Sequence, residues 1–293
     1  MARISSFEMA KEKIKRYFDK ADTRIFSRSE LIEIFEKNHE KWKLAKSMNS
    51  VSFLDALVQH ADFAPVDLSF RNISVHNYFY KHASMIALAS NITRRSYLSH
   101  YTSLFVHDLT EQIPKVIYVT NEQSKKVARV VDITQESIDK AFNKEQRISE
   151  NSAPLADYKA VLLEGKYSNN LGVITDTIHD TGERIKLTDI ERTLIDVTVR
   201  PNYAGGVYEV LKAYERAAGK VSVNKMMAML SKLDYIYPYH QSIGFYLEKS
   251  GVYKPSILQI VSRYEMRYNF YLTYNMKEAE YSEKWKIFYP KDL

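Results

Sequence analysis

The sequence contains no cysteine, and this absence excludes several kinds of chemistry at once. A disulfide framework, a cysteine nucleophile and a thiolate metal site all require cysteine side chains. Glycine and proline are also scarce, at 8 and 7 residues, which disfavours an all-β protein rich in tight turns.

Long apolar runs are missing as well. No stretch approaches ~18 consecutive apolar residues, so the sequence predicts no span of a bilayer and no membrane partner. Residues 1–7 lack the basic start and apolar core of a signal peptide. We therefore expect a cytoplasmic protein.

What the chain does contain is typical of a folded protein. Of its 293 residues, 45% are hydrophobic and 27% charged, which excludes general disorder and fibrous repeats. The length suits two domains. A net charge of +6 is compatible with a nucleic-acid partner but does not by itself indicate one. The 22 tyrosines are unusual, and those near the C-terminus are expected in packing or on a partner surface.

Residues 1–83 have the pattern of one small unit. Apolar side chains at helical spacing predict a helix over residues 7–20, followed by a short extended segment. Ser27 stands three residues before Glu30, which is a capping-box pattern. It predicts the start of a second helix that continues towards Trp42.

A third helix is predicted to begin at Asn49 or Ser50, and two β-rich runs then meet at Arg71 and Asn72, as in a hairpin. Helix, short strand, helix, helix and hairpin is the order of a winged helix-turn-helix domain. Other small α+β domains can have the same order, so that alternative stays open. We therefore predict an α+β protein with a DNA-binding winged helix-turn-helix domain at residues 1–83.

Residues 84–293 are expected to form a larger, mixed α/β effector domain. A short helix is predicted at residues 85–90 and a helix start at 96–104. The gaps between the following strands leave little room for crossover helices, so we expect a mainly antiparallel sheet. Residues 134–153 are expected to be a loop or a short surface helix. The predicted strands are residues 115–120, 125–133, 158–164 and 172–175.

Helices are expected to dominate the last third of the chain. Thr188 stands three residues before Glu191 and predicts a capping box for a helix that stops at Arg200 and Pro201. Gly205 and its neighbour break the chain before the next helix, 207–219. Further helices are predicted at 222–233, 239–249 and 255–266, with terminal strands at 268–274 and 284–289.

Two segments carry a likeness to a known family. Residues 96–120 read SYLSHYTSLFVHDLTEQIPKVIYVT, and residues 187–210 read LTDIERTLIDVTVRPNYAGGVYEV. Together with the N-terminal plan, they resemble the AbiEi family of bacterial antitoxins, one half of type IV toxin–antitoxin systems of abortive phage infection. The most specific part is the run from Glu191 and Arg192 to Asp196, followed by Arg200 and Pro201 and then by residues 203–206.

The resemblance implies a function and a partner. Proteins of this family bind inverted repeats in double-stranded DNA of their own promoter and repress the operon. Their C-terminal domain counteracts a co-expressed nucleotidyltransferase-like toxin of the AbiEii type, without a stable complex. A monomer or weak dimer is expected, since either can occupy an inverted repeat.

Nine residues are candidates for DNA contacts. The lysines at 37, 41, 43 and 46 fall between the second and third helices, where they can neutralise phosphates; the alternative is a solvated helix end. Small polar groups at the start of the third helix suit phosphate or base-edge hydrogen bonds, or merely cap the helix. The hairpin tip can enter a minor groove. The candidates are Lys37, Lys41, Lys43, Lys46, Asn49, Ser50, Ser52, Arg71 and Asn72.

The motif around Arg192 has two interpretations. Arg192 and Asp196 are four residues apart on one helix face, which suits a local ion pair. Such a pair either fixes the helix structurally or, with Glu191 and Arg200, presents a charged patch for antitoxin action. Surface pairs of this type are common and usually contribute little stability, which favours the structural interpretation.

No enzyme is predicted, and no metal or cofactor. Asp157, Glu164 and Lys166 resemble the carboxylate and lysine set of Mg²⁺-dependent nucleases, but seven residues along one strand place the two acids on opposite faces. Ser99 and His100 are sequence neighbours, and we expect their side chains to point apart. Glycine-rich phosphate loops are absent from the sequence.

Three hypotheses therefore follow. The first is an autorepressing antitoxin, as the resemblance implies. The second is a winged-helix regulator of another operon with a C-terminal sensor or partner-binding domain. The third is the Mg²⁺-dependent nuclease, which the spacing of its acids disfavours.

Overall fold

The protein is a mixed α+β structure. The computed structural model describes residues 5–125, 132–178 and 181–293. Within these ranges it contains eleven α-helices, one short 3-10 helix and twelve strands. None of the described helices has the length and apolarity needed to cross a membrane.

The N-terminal part, residues 5–83, contains the predicted elements in the predicted order. Its three strands form one antiparallel sheet in the order β1-β3-β2, with the short first strand beside the hairpin. The elements are α1 Ser6–Asp19, β1 Ile25–Ser27, α2 Arg28–Asn38, α3 Ser50–His60, β2 Phe63–Ser69 and β3 Ser74–Tyr80.

Local signals set the start of α2 but not its end. The backbone N–H of Glu30 donates to Ser27 Oγ at 3.2 Å and the Ser27 N–H donates to the Glu30 carboxylate at 2.7 Å, which confirms the capping box. The continuation towards Trp42 is wrong, because α2 ends at Asn38. Lys43 has a φ of 55°, which turns the chain back and lets the buried Trp42 ring pack on the domain core.

Aromatic side chains make up most of the core of the N-terminal part. Phe18 lies at its centre, with ring centroids 4.8 Å from Phe63 and 5.1 Å from Phe26 in edge-to-face contacts. The Trp42 ring stacks on Phe53 at 5.8 Å. The helices and the hairpin are therefore fixed against one another by rings from every element.

A six-stranded sheet with the order β6-β7-β5-β4-β9-β8 forms the middle of the molecule. The segment predicted as a helix start at 96–104 is instead a strand followed by a helix. Of the strand predicted over 125–133, residues 126–131 lie outside the described residues. The elements are α4 Met85–Ser90, β4 Ser96–Leu98, α5 His100–Val106, β5 Val116–Glu122, α6 Gln135–Phe142, β6 Ser152–Leu155, β7 Tyr158–Gly165, β8 Val173–Thr177 and β9 Arg184–Thr188.

The sheet is only partly antiparallel. β6 with β7, β4 with β5, and β8 with β9 are antiparallel pairs, as expected. β5 with β7 and β4 with β9 are parallel, which the sequence did not indicate. The reason is topological: the connection from β5 to β7 includes α6 and β6, and the connection from β4 to β9 includes four strands.

The last third of the chain is helical with a small terminal sheet. β10, β12 and β11 form that sheet, and β11 was not predicted. Helix α10 has the predicted bounds, whereas the strand predicted at 268–274 is only two residues long. The elements are α7 Ile190–Val199, a 3-10 helix Pro201–Ala204, α8 Val207–Arg216, α9 Val223–Leu233, α10 Tyr239–Lys249, α11 Pro255–Ser262, β10 Phe270–Tyr271, β11 Ala279–Ser282 and β12 Ile287–Pro290.

The predicted capping box at Thr188 is wrong by one residue. Asp189 is the N-cap of α7, and its carboxylate accepts the Arg192 backbone N–H at 2.8 Å. The Thr188 hydroxyl instead bonds the hydroxyl of Thr193 at 2.7 Å, and both side chains are buried. Glu191 therefore does not take part in capping α7, and its carboxylate binds Ser222 and Lys225 instead.

One hydrophobic cluster crosses residue 83. Buried side chains of β1, β2 and β3 pack in the same cluster as side chains of α4 and the six-stranded sheet. Residues 1–83 therefore share part of their apolar core with the rest of the chain. The shared cluster includes Ile25, Leu68, Val75, Leu88, Leu98, Ile117 and Leu187.

Candidate functional site

The four lysines between α2 and α3 all face solvent. Lys37 lies in the last turn of α2, and Lys41, Lys43 and Lys46 lie in the connection to α3. Trp42 and Leu44 are buried, so Lys41 and Lys43, which alternate with them along the chain, face solvent. Among the described residues none of these lysines lies within 4.0 Å of a carboxylate, so their charges are available to an anionic partner.

The small polar residues at the start of α3 cap the helix. Asn49 is the N-cap; its Oδ1 accepts the Ser52 backbone N–H at 2.9 Å, and the Asn49 N–H donates to Ser52 Oγ at 3.0 Å. This is the capping alternative that the sequence left open. Ser50 is half-buried, while Asn49 and Ser52 stay exposed. A DNA role for these residues stays a prediction.

The hairpin tip is held against the second part of the molecule. The Arg71 backbone N–H donates to the Asn151 side-chain oxygen at 2.8 Å. The Arg71 guanidinium lies 3.6 Å from the Glu150 carboxylate, and both side chains are mostly exposed. Arg71 and Asn72 therefore line a cavity between the hairpin and the six-stranded sheet.

The three nuclease candidates are spread along β7. Asp157 lies in the turn before the strand and Glu164 lies near its end, so seven residues of extended chain, roughly 20 Å, separate them. Lys166 donates to the backbone carbonyls of Leu233 and Asp234 at 2.9 and 2.5 Å. The described residues bring no three acidic or histidine side chains together as a metal site.

The Arg192–Asp196 ion pair is buried rather than exposed. Arg192 Nε donates to Asp196 Oδ1 at 2.8 Å, and only 5% and 6% of the two side chains are exposed. Burial is the largest single effect and lowers the pKa of Arg192, but Asp196, Tyr97 and Tyr235 together outweigh it, so the pKa lies above its ordinary value. The pair is therefore a fixed internal element and not a surface patch.

Every nitrogen of the Arg192 guanidinium has an acceptor. Nη1 donates to the Leu171 carbonyl at 2.7 Å and to Ser168 Oγ at 3.2 Å, and Nη2 lies 3.4 Å from the Tyr97 hydroxyl. These contacts join α7 to β4 and to the loop before β8. A buried cation is stable only when its donors are satisfied in this way.

Glu122 completes the network, and the sequence analysis did not identify it. Its buried carboxylate accepts the Ser168 N–H at 3.0 Å, the Asn170 N–H at 3.3 Å and the Tyr97 hydroxyl at 3.3 Å. The Ser168 hydroxyl donates to it as well. Glu122 is the last residue of β5, and nothing in the local pattern distinguishes it from a solvent-facing strand residue.

Glu191 acts on the other side of α7. Its carboxylate accepts the Ser222 N–H at 2.8 Å and lies 2.8 Å from Lys225 Nζ, which also pairs with Asp189 at 2.8 Å. Burial raises the pKa of Glu191, but Lys225 and the backbone donors more than offset this, so the pKa lies below its ordinary value. Glu191 therefore contacts the start of α9 and not the Arg192–Asp196 network.

The expectation that the Ser99 and His100 side chains point apart is wrong. Ser99 is extended but His100 has a φ of 52°, and this left-handed conformation folds the imidazole back onto its neighbour. His100 Nδ1 lies 2.9 Å from Ser99 Oγ, which lies 2.7 Å from Thr120 Oγ1. The alternation rule for strands does not apply, because the chain leaves the strand at this step.

Burial controls the protonation of His100. Only 7% of the residue is exposed, and desolvation lowers the pKa of the imidazole to about 4, with Arg200 and Arg192 adding to the effect and Asp196 opposing it. The ring meets the edge of Tyr203 at 5.4 Å. The imidazole is therefore neutral at pH 7.

These groups surround one large cavity. Its volume is about 1440 Å³. Its lining includes His100, the Arg192–Asp196 pair, the end of α7 and the tyrosines of the α9–α10 connection. From the two segments that carry the family resemblance, the lining residues are His100, Thr120, Arg192, Asp196, Val199, Arg200 and Tyr203.

Comparison with known proteins adds a fold relationship. The sequence matches no protein-family model and no curated protein. The fold is similar to the crystal structure of the RV2827C protein from Mycobacterium tuberculosis, with a TM-score of 0.58 and 10% sequence identity. The match covers 98% of this chain and 92% of that chain. At this identity the similarity concerns the fold alone.

The buried ion pair predicts a large effect of Asp196→Asn on stability. The substitution preserves shape but leaves the Arg192 charge without its counter-ion, so the free energy of unfolding should fall by about 3 kcal/mol. Denaturant unfolding measures the change. Asp234→Asn is the matched control, since Asp234 is 89% exposed and 4.0 Å from Lys166, and should cost less than about 1 kcal/mol. Equal losses in the two variants would contradict a special role for the buried pair.

The low pKa of His100 predicts a pH-dependent stability. The unfolded chain protonates this imidazole below about pH 6.5 while the folded protein keeps it neutral, so its contribution is complete above pH 6.5 and is lost as the pH falls to about 4. His100→Asn, which tolerates the left-handed backbone, should remove about 3 kcal/mol of that pH dependence. Unfolding curves of both proteins across this range provide the test. Parallel pH profiles would show that His100 is not held neutral.

Proposed function

We propose that the protein binds double-stranded DNA through residues 1–83 as a winged helix-turn-helix domain. The observation that carries this proposal is the order α1-β1-α2-α3-β2-β3, together with the antiparallel sheet order β1-β3-β2. In folds with this order, α3 is the helix that enters the major groove.

The exposed face of α3 is suited to contacts between small side chains and the edges of DNA bases. Val51, Ser52, Asp55, Val58 and Gln59 face solvent, and the helix contains no lysine or arginine. Serine and glutamine hydrogen-bond base edges, and valine methyl groups can contact a thymine methyl. Affinity must then come from phosphate contacts outside α3.

The lysine segment before α3 supplies those phosphate contacts. Lys37 at the end of α2 and Lys41, Lys43 and Lys46 in the connection are exposed. The connection leads into the capped N-terminus of α3, whose first N–H groups and dipole also favour a phosphate. Arg71 and Asn72 at the hairpin tip are proposed as minor-groove contacts, since both side chains remain exposed although the backbone is anchored.

We further propose that the protein is an autorepressor and antitoxin, with an AbiEii-like nucleotidyltransferase as its functional partner. This rests on the AbiEi resemblance of residues 96–120 and 187–210. Its support is that the two segments, far apart in sequence, pair as β4 and β9 and line one cavity. Regulation of another operon is the competing proposal, and the positions of Asp157 and Glu164 along β7 disfavour the nuclease.

Charge removal at Lys43 tests the DNA proposal. Lys43→Gln removes one phosphate contact, so binding to the upstream inverted repeat should weaken, and the slope of log affinity against log salt should decrease by about 0.9 between roughly 50 and 200 mM salt. Fluorescence anisotropy measures both quantities. Lys220→Gln removes an exposed lysine between α8 and α9 and should leave both unchanged. Identical slopes for wild type and Lys43→Gln would contradict the proposed phosphate contact.

Co-expression tests the antitoxin proposal. A nucleotidyltransferase-like toxin encoded beside this chain should arrest growth alone and not when the wild-type protein is co-expressed. Lys43→Gln should retain this protection, because it alters only DNA contacts. Growth arrest that persists with soluble wild-type protein would eliminate the antitoxin proposal and leave the DNA-binding proposal standing.

A further inference from the structure

The cavity beside α7 has an aromatic lining that DNA binding does not use. Five tyrosines contribute to it, from the 3-10 helix, the α9–α10 connection, α10 and the segment after β10. Tyrosine rings offer flat apolar faces with hydroxyl groups at their edges, a surface suited to a planar ligand. The five residues are Tyr203, Tyr235, Tyr237, Tyr239 and Tyr274.

The cavity has an excess of unpaired positive charge. Six cationic side chains and four carboxylates line it. Two of the carboxylates are ion-paired, Asp196 with Arg192 and Glu150 with Arg71, and a third, Glu164, accepts a hydrogen bond from the neutral Gln123 and keeps its charge. The fourth, Glu145, lies on the exposed loop after α6, between the cations Lys144 and Arg147. The charge balance therefore favours an anionic ligand.

Arg200 is the cation placed to hold such a ligand. Its guanidinium carbon lies 5.9 Å from the centre of the Tyr203 ring, and among the described residues it has no carboxylate partner. Burial raises the pKa of Tyr235 and lowers the pKa of His100. The Arg200 charge lowers both pKa values, so this charge lies near both lining residues. A guanidinium binds a carboxylate or phosphate through two parallel hydrogen bonds.

His100 provides a second, buried contact. Only 7% of the residue is exposed, and it lines the cavity. Its Nδ1 is engaged by Ser99, and no partner within the described parts of the chain reaches Nε2. When the imidazole carries its proton on Nε2, this nitrogen can donate a hydrogen bond to a ligand oxygen. The left-handed backbone at His100 points the ring to this position.

We propose that this cavity binds a small compound that carries an oxyanion, a phosphate or carboxylate, next to a planar ring. The oxyanion binds Arg200 and the neutral His100, and the ring lies against the tyrosines. Arg200, His100 and the tyrosines are not assigned to DNA, whereas Arg71 and Asn72, which line the same cavity, are. Arg192 is a positioning residue here, since its donors are already satisfied.

Calorimetry on the full-length chain with simple probes tests the site. Phenyl phosphate and benzoate contain the ring and one of the two oxyanions, benzamide contains the ring without the charge, and inorganic phosphate contains the charge without the ring. We expect at least one ring-bearing anion to bind more than about tenfold more tightly than benzamide, since charge-assisted hydrogen bonds are lost with the amide. The preferred oxyanion identifies the natural head group.

Two variants assign the contact to Arg200. Arg200→Gln should weaken binding of that anion at least about tenfold and leave benzamide binding unchanged. Arg263→Gln removes an exposed arginine outside the cavity and should bind as the wild type does. Equal affinity of Arg200→Gln and wild type for the anion would overturn the proposal.

The comparison of probes does not depend on any variant. If Arg200→Gln does not fold, the contrast between benzoate and benzamide on the wild-type protein still decides the matter. Equal binding of the charged and neutral probes, or no binding of any ring-bearing anion at millimolar concentration, would overturn the oxyanion site. Tight binding of inorganic phosphate that the ring does not improve would overturn the aromatic part.

Discussion

The packing of α7 against the six-stranded sheet depends on the buried charge of Arg192. A cation taken out of water is tolerated only when a counter-ion and hydrogen-bond acceptors surround it. Asp196 supplies the counter-ion, and Tyr97 and the Leu171 carbonyl supply acceptors from β4 and the loop before β8. These requirements fix α7 against the sheet. The end of α7, where Arg200 emerges, is fixed with it.

The cavity follows from this fixed geometry. Because α7 is held against β4 and β9, its C-terminal end lines the cavity together with the ends of β5 and β7, and Tyr203 of the 3-10 helix packs on Val161 and Leu163 of β7. The hairpin tip closes another side, since Arg71 is bonded to Asn151. Together with the hydrophobic cluster that crosses residue 83, this contact joins the proposed DNA-binding unit to the wall of the cavity.

The helix starts of the N-terminal part could be predicted from sequence, whereas the buried network could not. Capping signals act within three residues, so Ser27 correctly marked the start of α2 and Asn49 the start of α3. The i, i+4 spacing also gave the Arg192–Asp196 pair. Its burial and the part played by Glu122 depend on segments dozens of residues away, and spacing carries no information about them.

The sequence by itself determined the order of the helices and strands, because periodicity and capping involve neighbours along the chain. Only the tertiary structure decided which strands pair in parallel. It also decided that Asp189 caps α7 in place of Thr188. It also decided the return of the His100 ring onto Ser99. Buried polar groups lower the stability of a fold unless they find hydrogen-bond partners. Those partners come from segments that are distant in sequence, so a local sequence pattern does not reveal them.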